Sequence, residues 1–139
     1  MSYDFRMVPD TKTPPPGHSD VTTDGIRVRV GAQRVEHHNY PDPHKNIFVY
    51  QVRIENVGDA WARLESRYWR IIDADGEAEE VEGPGVVGKF PELEPGDSHT
   101  YQSFCPLDTH WGSMEGYFVF RREDGTSFHV VVGRFFLSG

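Results

Sequence analysis

The sequence has 139 residues and a formal net charge of −8; 15 Val, 5 Ile and 18 aromatic residues stand against 4 Leu and 5 Ala. This length implies one domain with its own core, and the β-branched and aromatic bias excludes an all-helical bundle. The acidic balance argues against nucleic acid and anionic membrane as partners, and the single cysteine, Cys105, excludes an intrachain disulfide or a polycysteine zinc centre.

Eleven of the 14 basic residues are arginine, which leaves room for local bidentate anion sites in an acidic chain. A lone cysteine also suits a reduced, cytoplasmic setting. Residues 1–20 are polar and contain Pro14-Pro15-Pro16-Gly17. They read as a flexible tail without the apolar core of a signal peptide. Such a tail suits an arm that packs on a neighbouring copy, so a homodimer is one expectation. No apolar run approaches the ~18 residues of a membrane span.

The domain proper is expected over 21–139, as short strands separated by turns. Ile26, Val28 and Val30 alternate with Arg27 and Arg29, and Phe48 to Ile54 alternates likewise. Asn56 to Asp59 supplies a turn. A long strand is expected from Trp61 to Asp73, with Leu64 on one face and Trp69 and Ile71 on the other. Asp73-Ala74-Asp75-Gly76 is a hairpin signal, and Glu77 to Glu82 returns as an acidic edge strand. Gly83 to Pro91 reads as a loop. Glu94-Pro95-Gly96-Asp97 has Pro and Gly where a type II turn requires them. Strands follow at His99 to Cys105, Met114 to Arg122 and Phe128 to Val132, with Phe135 to Leu137 as a continuation. Seven or eight such strands, with no 3.6-residue apolar period, predict an all-β antiparallel sandwich.

Three ordered blocks then carry a resemblance: SRYWRIIDADG from Ser66, EGPGVVGKFPELEPGDSHTYQSFC from Glu82, and GSMEGYFVF from Gly112. With their spacings, they resemble the ApaG family (the DUF525 domain) over roughly Val21 to Leu137. The resemblance implies an immunoglobulin- or fibronectin-III-like sandwich with no accepted enzymatic activity, and no cofactor is expected. It further implies an association with diadenosine tetraphosphate metabolism and cobalt and magnesium resistance in bacteria, and protein binding by the similar domain of eukaryotic adaptors.

Gly83, Gly85 and Gly88 satisfy G-x-G-x-x-G. A dinucleotide fold needs a helix directly after that motif, and Pro91 and Pro95 leave no room for one. Three readings remain. The glycines can allow a tight inter-strand connection. They can instead bend backbone N–H groups toward a phosphate, with Lys89 and Arg67 assisting, as the resemblance suggests. Or Val86, Val87 and Phe90 can touch a protein partner. Pro84 removes one donor, and Glu77, Glu79, Glu80, Glu82, Glu92 and Glu94 surround the loop with like charge for an anion.

His37, His38 and His44 lie with Glu36 and Asp42 in the densest group of metal-ligand types, but their spacing matches no zinc motif. They read as a solvated, proline-turned loop, and no metal ligand is assigned. Trp61, Tyr68, Trp69, Tyr101 and Trp111 read as core or rim, Tyr101 as a buried ring whose hydroxyl needs a partner, and Cys105 as a small apolar residue. No G-x-S-x-G elbow or H-E-x-x-H pair occurs, and nothing in the sequence joins Glu65 to Glu115. The expected function is therefore a non-catalytic module for an unidentified protein partner. The alternative is a sensor of a phosphate-bearing small molecule or divalent metal.

Overall fold

In a computed structural model, residues 17–36 and 38–139 are described. Of the tail expected over 1–20, residues 1–16 lie outside them. The chain enters the fold two residues ahead of the expected boundary, with strand β1 at Ser19–Thr23. Eight more strands follow: β2 (Ile26–Val35), β3 (Asn46–Asn56), β4 (Ala62–Asp73), β5 (Ala78–Pro84), β6 (Glu92–Leu93), β7 (Ser98–Leu107), β8 (Gly112–Arg121) and β9 (Ser127–Leu137). There is no helix among the described residues, and so none long and apolar enough to cross a membrane.

All strand pairings are antiparallel. One sheet runs β1-β2-β3-β7 and the other β5-β4-β8-β9, with β6 added to β4. Period-2 alternation places Ile26, Val28, Val30, Phe48, Val52 and Ile54 of the first sheet against Leu64, Trp69, Phe118, Phe120, Val130 and Phe135 of the second. Trp69 is the centre of the packing, with edge-on contacts to Tyr50, Phe118 and Phe135 at ring distances of 5.7, 5.9 and 5.9 Å.

Nine strands form where seven or eight were expected. β1 precedes the expected boundary, and β6 is only two residues long. The expected segments at Phe128 and Phe135 form one strand with an irregularity opposite Met114 to Gly116. This restores Phe135 and Leu137 to the inner face after Val130 and Val132.

A second bulge corrects the expected facing of β4. Leu64 pairs with Phe120 and Ser66 with Val119, so Glu65 is an extra residue. The inserted residue reverses the alternation, and both Leu64 and Trp69 face the core.

The turns follow local chemistry. Asp97 N donates to Glu94 O at 2.9 Å with Gly96 at φ 92°, as the Pro-Gly pair predicts. The Asp73 and Arg122 hairpins each close with a glycine at positive φ, Gly76 and Gly125. The Asn56 side chain ties the turn after β3 to β6: its Nδ2 donates to Ala60 O and Leu93 O, and its Oδ1 accepts from Gly58 N.

Candidate functional site

The glycine segment fills the step between β5 and β6 along the edge of β4. Gly83 pairs with Arg67 and Pro84 with Ser66, after which β5 ends. A side chain at Gly83 would lie 2.9–3.0 Å from the Arg67 guanidinium, so its absence lets that group lie flat on the strand. Arg67 Nη1 then donates to the carbonyls of Pro84 at 2.9 Å and Gly85 at 3.0 Å. Gly85 N donates to Glu65 O at 2.9 Å, which ties the bulge of β4 to the start of the turn.

Next, Val86 and Lys89 close a miniature hairpin: Val86 N donates to Lys89 O at 2.8 Å, and Lys89 N to Val86 O at 3.0 Å. The two residues between them, Val87 and Gly88, have φ of 47° and 75°. Positive φ at both central positions is the mark of a type I′ turn, whose usual occupants are Asn-Gly and Asp-Gly. A β-branched residue there is strained. Gly85 has φ 60°, and a Cβ on it would come within 2.4 Å of Lys89 O, so the turn requires glycine at that position.

The expected contact residues separate. Val86 is 0% exposed and belongs to the core, a correction to its placement on a contact surface: the hairpin folds it inward between the sheets. Val87 is 61% exposed at the tip and Phe90 39% exposed beside it. The Arg63 guanidinium lies 5.5 Å from the Phe90 ring centre.

The expected phosphate residues Gly83, Gly85, Gly88, Lys89 and Arg67 thus form one structural unit. Within it the N–H groups of Gly85, Val86 and Lys89 already serve backbone carbonyls, and so does the Arg67 guanidinium. Beside it, a depression of about 290 Å³ is lined by Ser66, Arg67, Tyr68, Glu82, Gly83 and Tyr117 among others, which brings a carboxylate close to the loop.

An electrostatic link joins the loop to β7. His99 is held below its ordinary value, first by burial and then by the charge of Lys89. Further along β7, burial pushes the Tyr101 phenol well up, and the buried hydroxyl has no hydrogen-bond partner among the described residues. The Cys105 thiol is buried and pushed up to about 12, chiefly by burial. It behaves as the apolar residue expected.

Other expected groups are placed apart. Glu65 pairs with Arg121 at 2.6 Å and Glu115 with Arg134 at 2.9 Å, so each carboxylate faces an arginine. Among the described residues, no group of three His, Cys, Asp or Glu is arranged to hold a metal ion. His38 Nδ1 accepts from Tyr40 N, the His44 backbone N–H donates to Asp42, and His37 lies outside the described residues.

Sequence reasoning missed an aromatic ladder on the outer face of the second sheet. Tyr68 stacks on Tyr117 at 4.9 Å and Tyr117 on His129 at 4.2 Å, across three adjacent strands. Alternation placed Tyr117 opposite Phe118, but only the register of β4, β8 and β9 aligns the three rings.

A family profile described as the ApaG domain matches residues 36–122. The chain is 47% identical over 115 residues to Protein ApaG of Methylobacterium nodulans, covering 83% of this chain and 88% of that one. It is 46% identical over 118 residues to Protein ApaG of Anaeromyxobacter dehalogenans, covering 84% and 92%. A crystal structure described as the putative ApaA protein from Bordetella pertussis superposes with a TM-score of 0.76 at 35% identity, covering 90% of this chain and 97% of that one. With the sandwich and the glycine turn in the places the motif blocks predict, the chain belongs to the ApaG family.

Proposed function

We propose that this chain is a non-catalytic binding module of the cytoplasm that recognises a protein partner through the tip of its glycine turn, with Val87 and Phe90 as the contact residues. The observation that carries this reading is the conformation of Val87. A β-branched residue in the left-handed region costs on the order of 1–2 kcal/mol. That cost holds an isopropyl group in solvent at the end of a turn that Gly85 and Arg67 brace from below. Strain kept at an exposed apolar tip, on a rigid base, is the arrangement of a recognition element.

The alternative is a sensor of a phosphate-bearing nucleotide or a divalent metal, tied to diadenosine tetraphosphate metabolism or ion resistance. It has less support, because the N–H groups of Gly85, Val86 and Lys89 and Nη1 of Arg67 already bind carbonyls, and glutamates surround the loop.

A photo-cross-linking residue in place of Val87, in cells, tests the proposal. The expected result is one discrete protein adduct that is absent when the same residue replaces Val57, which is comparably exposed at 55%. Identical adducts from both positions, or none from Val87, would overturn it. A thermal-shift screen of pyrophosphate, nucleotides and divalent metals runs beside it. A shift abolished by Lys89→Gln would favour the sensor.

A further inference from the structure

The outer edges of the two sheets are not equivalent. β1 and β9 cover each other: Phe136 N donates to Gly17 O at 2.8 Å, and a side chain at Gly133 would come within 2.8 Å of Val21. β7 has no Asp, Glu, Lys or Arg, so its side chains select no charged occupant. β5 pairs only with β4 and carries Glu79, Glu80 and Glu82, all exposed.

The register of β5 fixes which of its backbone groups are open. Asp73 N donates to Glu77 O at 3.0 Å just before the strand, and Gly85 N donates to Glu65 O at 2.9 Å just after it. Bonds to β4 therefore fall on the odd-numbered residues between, and the N–H and C=O groups of Ala78, Glu80 and Glu82 turn away from the sheet. Pro84 has no N–H and ends the open row.

Two of these residues also carry charge beside an aromatic face. The Tyr68 hydroxyl donates to Glu80 Oε1 at 2.9 Å, and Glu82 is the register partner of Tyr68. One face of the Tyr68 ring stacks on Tyr117 of β8, so the other is turned toward β5. The depression of about 290 Å³ has Tyr68, Tyr117 and Glu82 in its wall. Among the described residues, none of the three glutamates forms an ion pair. Of the arginines on β4, Arg67 has Nη1 committed to the Pro84 and Gly85 carbonyls, and Arg70 lies opposite Glu80 without pairing to it.

We propose that β5 receives an extended, arginine-bearing segment of a protein partner as an added antiparallel strand. Its main chain bonds to the open groups of Glu80 and Glu82, and its two residues opposite them point to the same outer face. Arginines at those two positions, in an Arg-x-Arg pattern, meet the two carboxylates, and the one opposite Glu82 lays its guanidinium on the open face of Tyr68. The residue between them faces Val81, which packs against the core, and is apolar. Charge selects this occupant. The glutamates attract a basic strand and repel a second copy of a chain that carries −8. The inference goes beyond the contact at Val87 and does not rest on it.

The probe is a capped Ser-Thr-Arg-Val-Arg-Thr-Ser peptide, titrated to ~1 mM, the weak end of specific affinity, into the isotope-labelled full chain and followed by NMR. Amide shifts are expected at Ala78, Glu80, Glu82 and Tyr68, with slowed hydrogen exchange at Glu80 and Glu82. The Glu80→Gln/Glu82→Gln variant should bind at least tenfold more weakly with an unchanged circular dichroism spectrum. On the peptide side, N-methylation of both arginines keeps their charge and removes their backbone donors, and should also weaken binding at least tenfold. No shift at the highest concentration, equal binding of the N-methylated peptide, or equal binding by the glutamine variant would each overturn the proposal.

Discussion

Val87 and Asp24 share a backbone conformation: both have φ 47°, and each precedes a glycine of positive φ, Gly88 at 75° and Gly25 at 83°. In the β1–β2 hairpin the pair is Asp-Gly, which tolerates that geometry. In the glycine turn it is Val-Gly, which does not. Val87→Asn should therefore stabilise the protein by about 1 kcal/mol and raise Tm by a few degrees. The mirror substitution Asp24→Val should destabilise it by a similar amount. Paired denaturant and thermal unfolding curves measure both.

The glycines should respond unequally. Gly85→Ala drives a Cβ to within 2.4 Å of Lys89 O in a left-handed conformation, so a loss of about 2–3 kcal/mol is expected. Gly88→Ala meets nothing within 4 Å and should cost about 1 kcal/mol. An equal loss at both positions in urea unfolding would contradict the hairpin described here.

Arg67→Met should destabilise by about 2 kcal/mol, because the carbonyls of Pro84 and Gly85 lose their charged donor. Hydrogen exchange should quicken at Gly85, Val86 and Lys89 and stay unchanged at β1.

Burial of the Cys105 thiol predicts an alkaline weakness. The group titrates at 9.0 when exposed and at about 12 in the fold, so the native state holds its proton longer. The stability this contributes is complete below 9 and is lost as pH rises toward 12, at up to about 1.4 kcal/mol per pH unit. Tyr50 and Tyr101, also raised chiefly by burial, act in the same direction. Urea midpoints should fall with rising pH, and Cys105→Ala should flatten the slope.

His99 works at the other end of the scale. Its value is lowered in the fold, first by burial and then by Lys89, so the unfolded chain takes up a proton at higher pH than the native one. The associated stability is present above 6.5 and is lost as pH falls through that value toward the folded one. Lys89→Gln should move the His99 midpoint upward in an NMR titration.

Much of this architecture was legible from alternation and turn chemistry. Val28, Val30, Phe118 and Phe120 announce an inner face by spacing alone, and Asp73 to Gly76 announces a hairpin. The bulge at Glu65 was not legible, because nothing in Arg63-Leu64-Glu65-Ser66 distinguishes an inserted residue from an ordinary one; its cause is the register with β8. β6 was missed because a two-residue strand has no period to read. At the site, the glycine spacing identified the segment but not its use. Val86 faces inward and Val87 outward because Arg67 and Glu65, 18 and 20 residues before Gly85, hold the base of the turn at that residue. The ladder of Tyr68, Tyr117 and His129 likewise depends on partners far apart in sequence.

The most direct test of a strained recognition tip joins stability to binding in one variant. Affinity for the partner cross-linked at Val87 and the thermal midpoint should be measured on the wild type and on Val87→Asn. For a strained recognition tip, Val87→Asn is expected to be more stable and to bind at least tenfold more weakly, which corresponds to about 1.4 kcal/mol of lost contact. A variant that is more stable and binds as tightly as the wild type would contradict it.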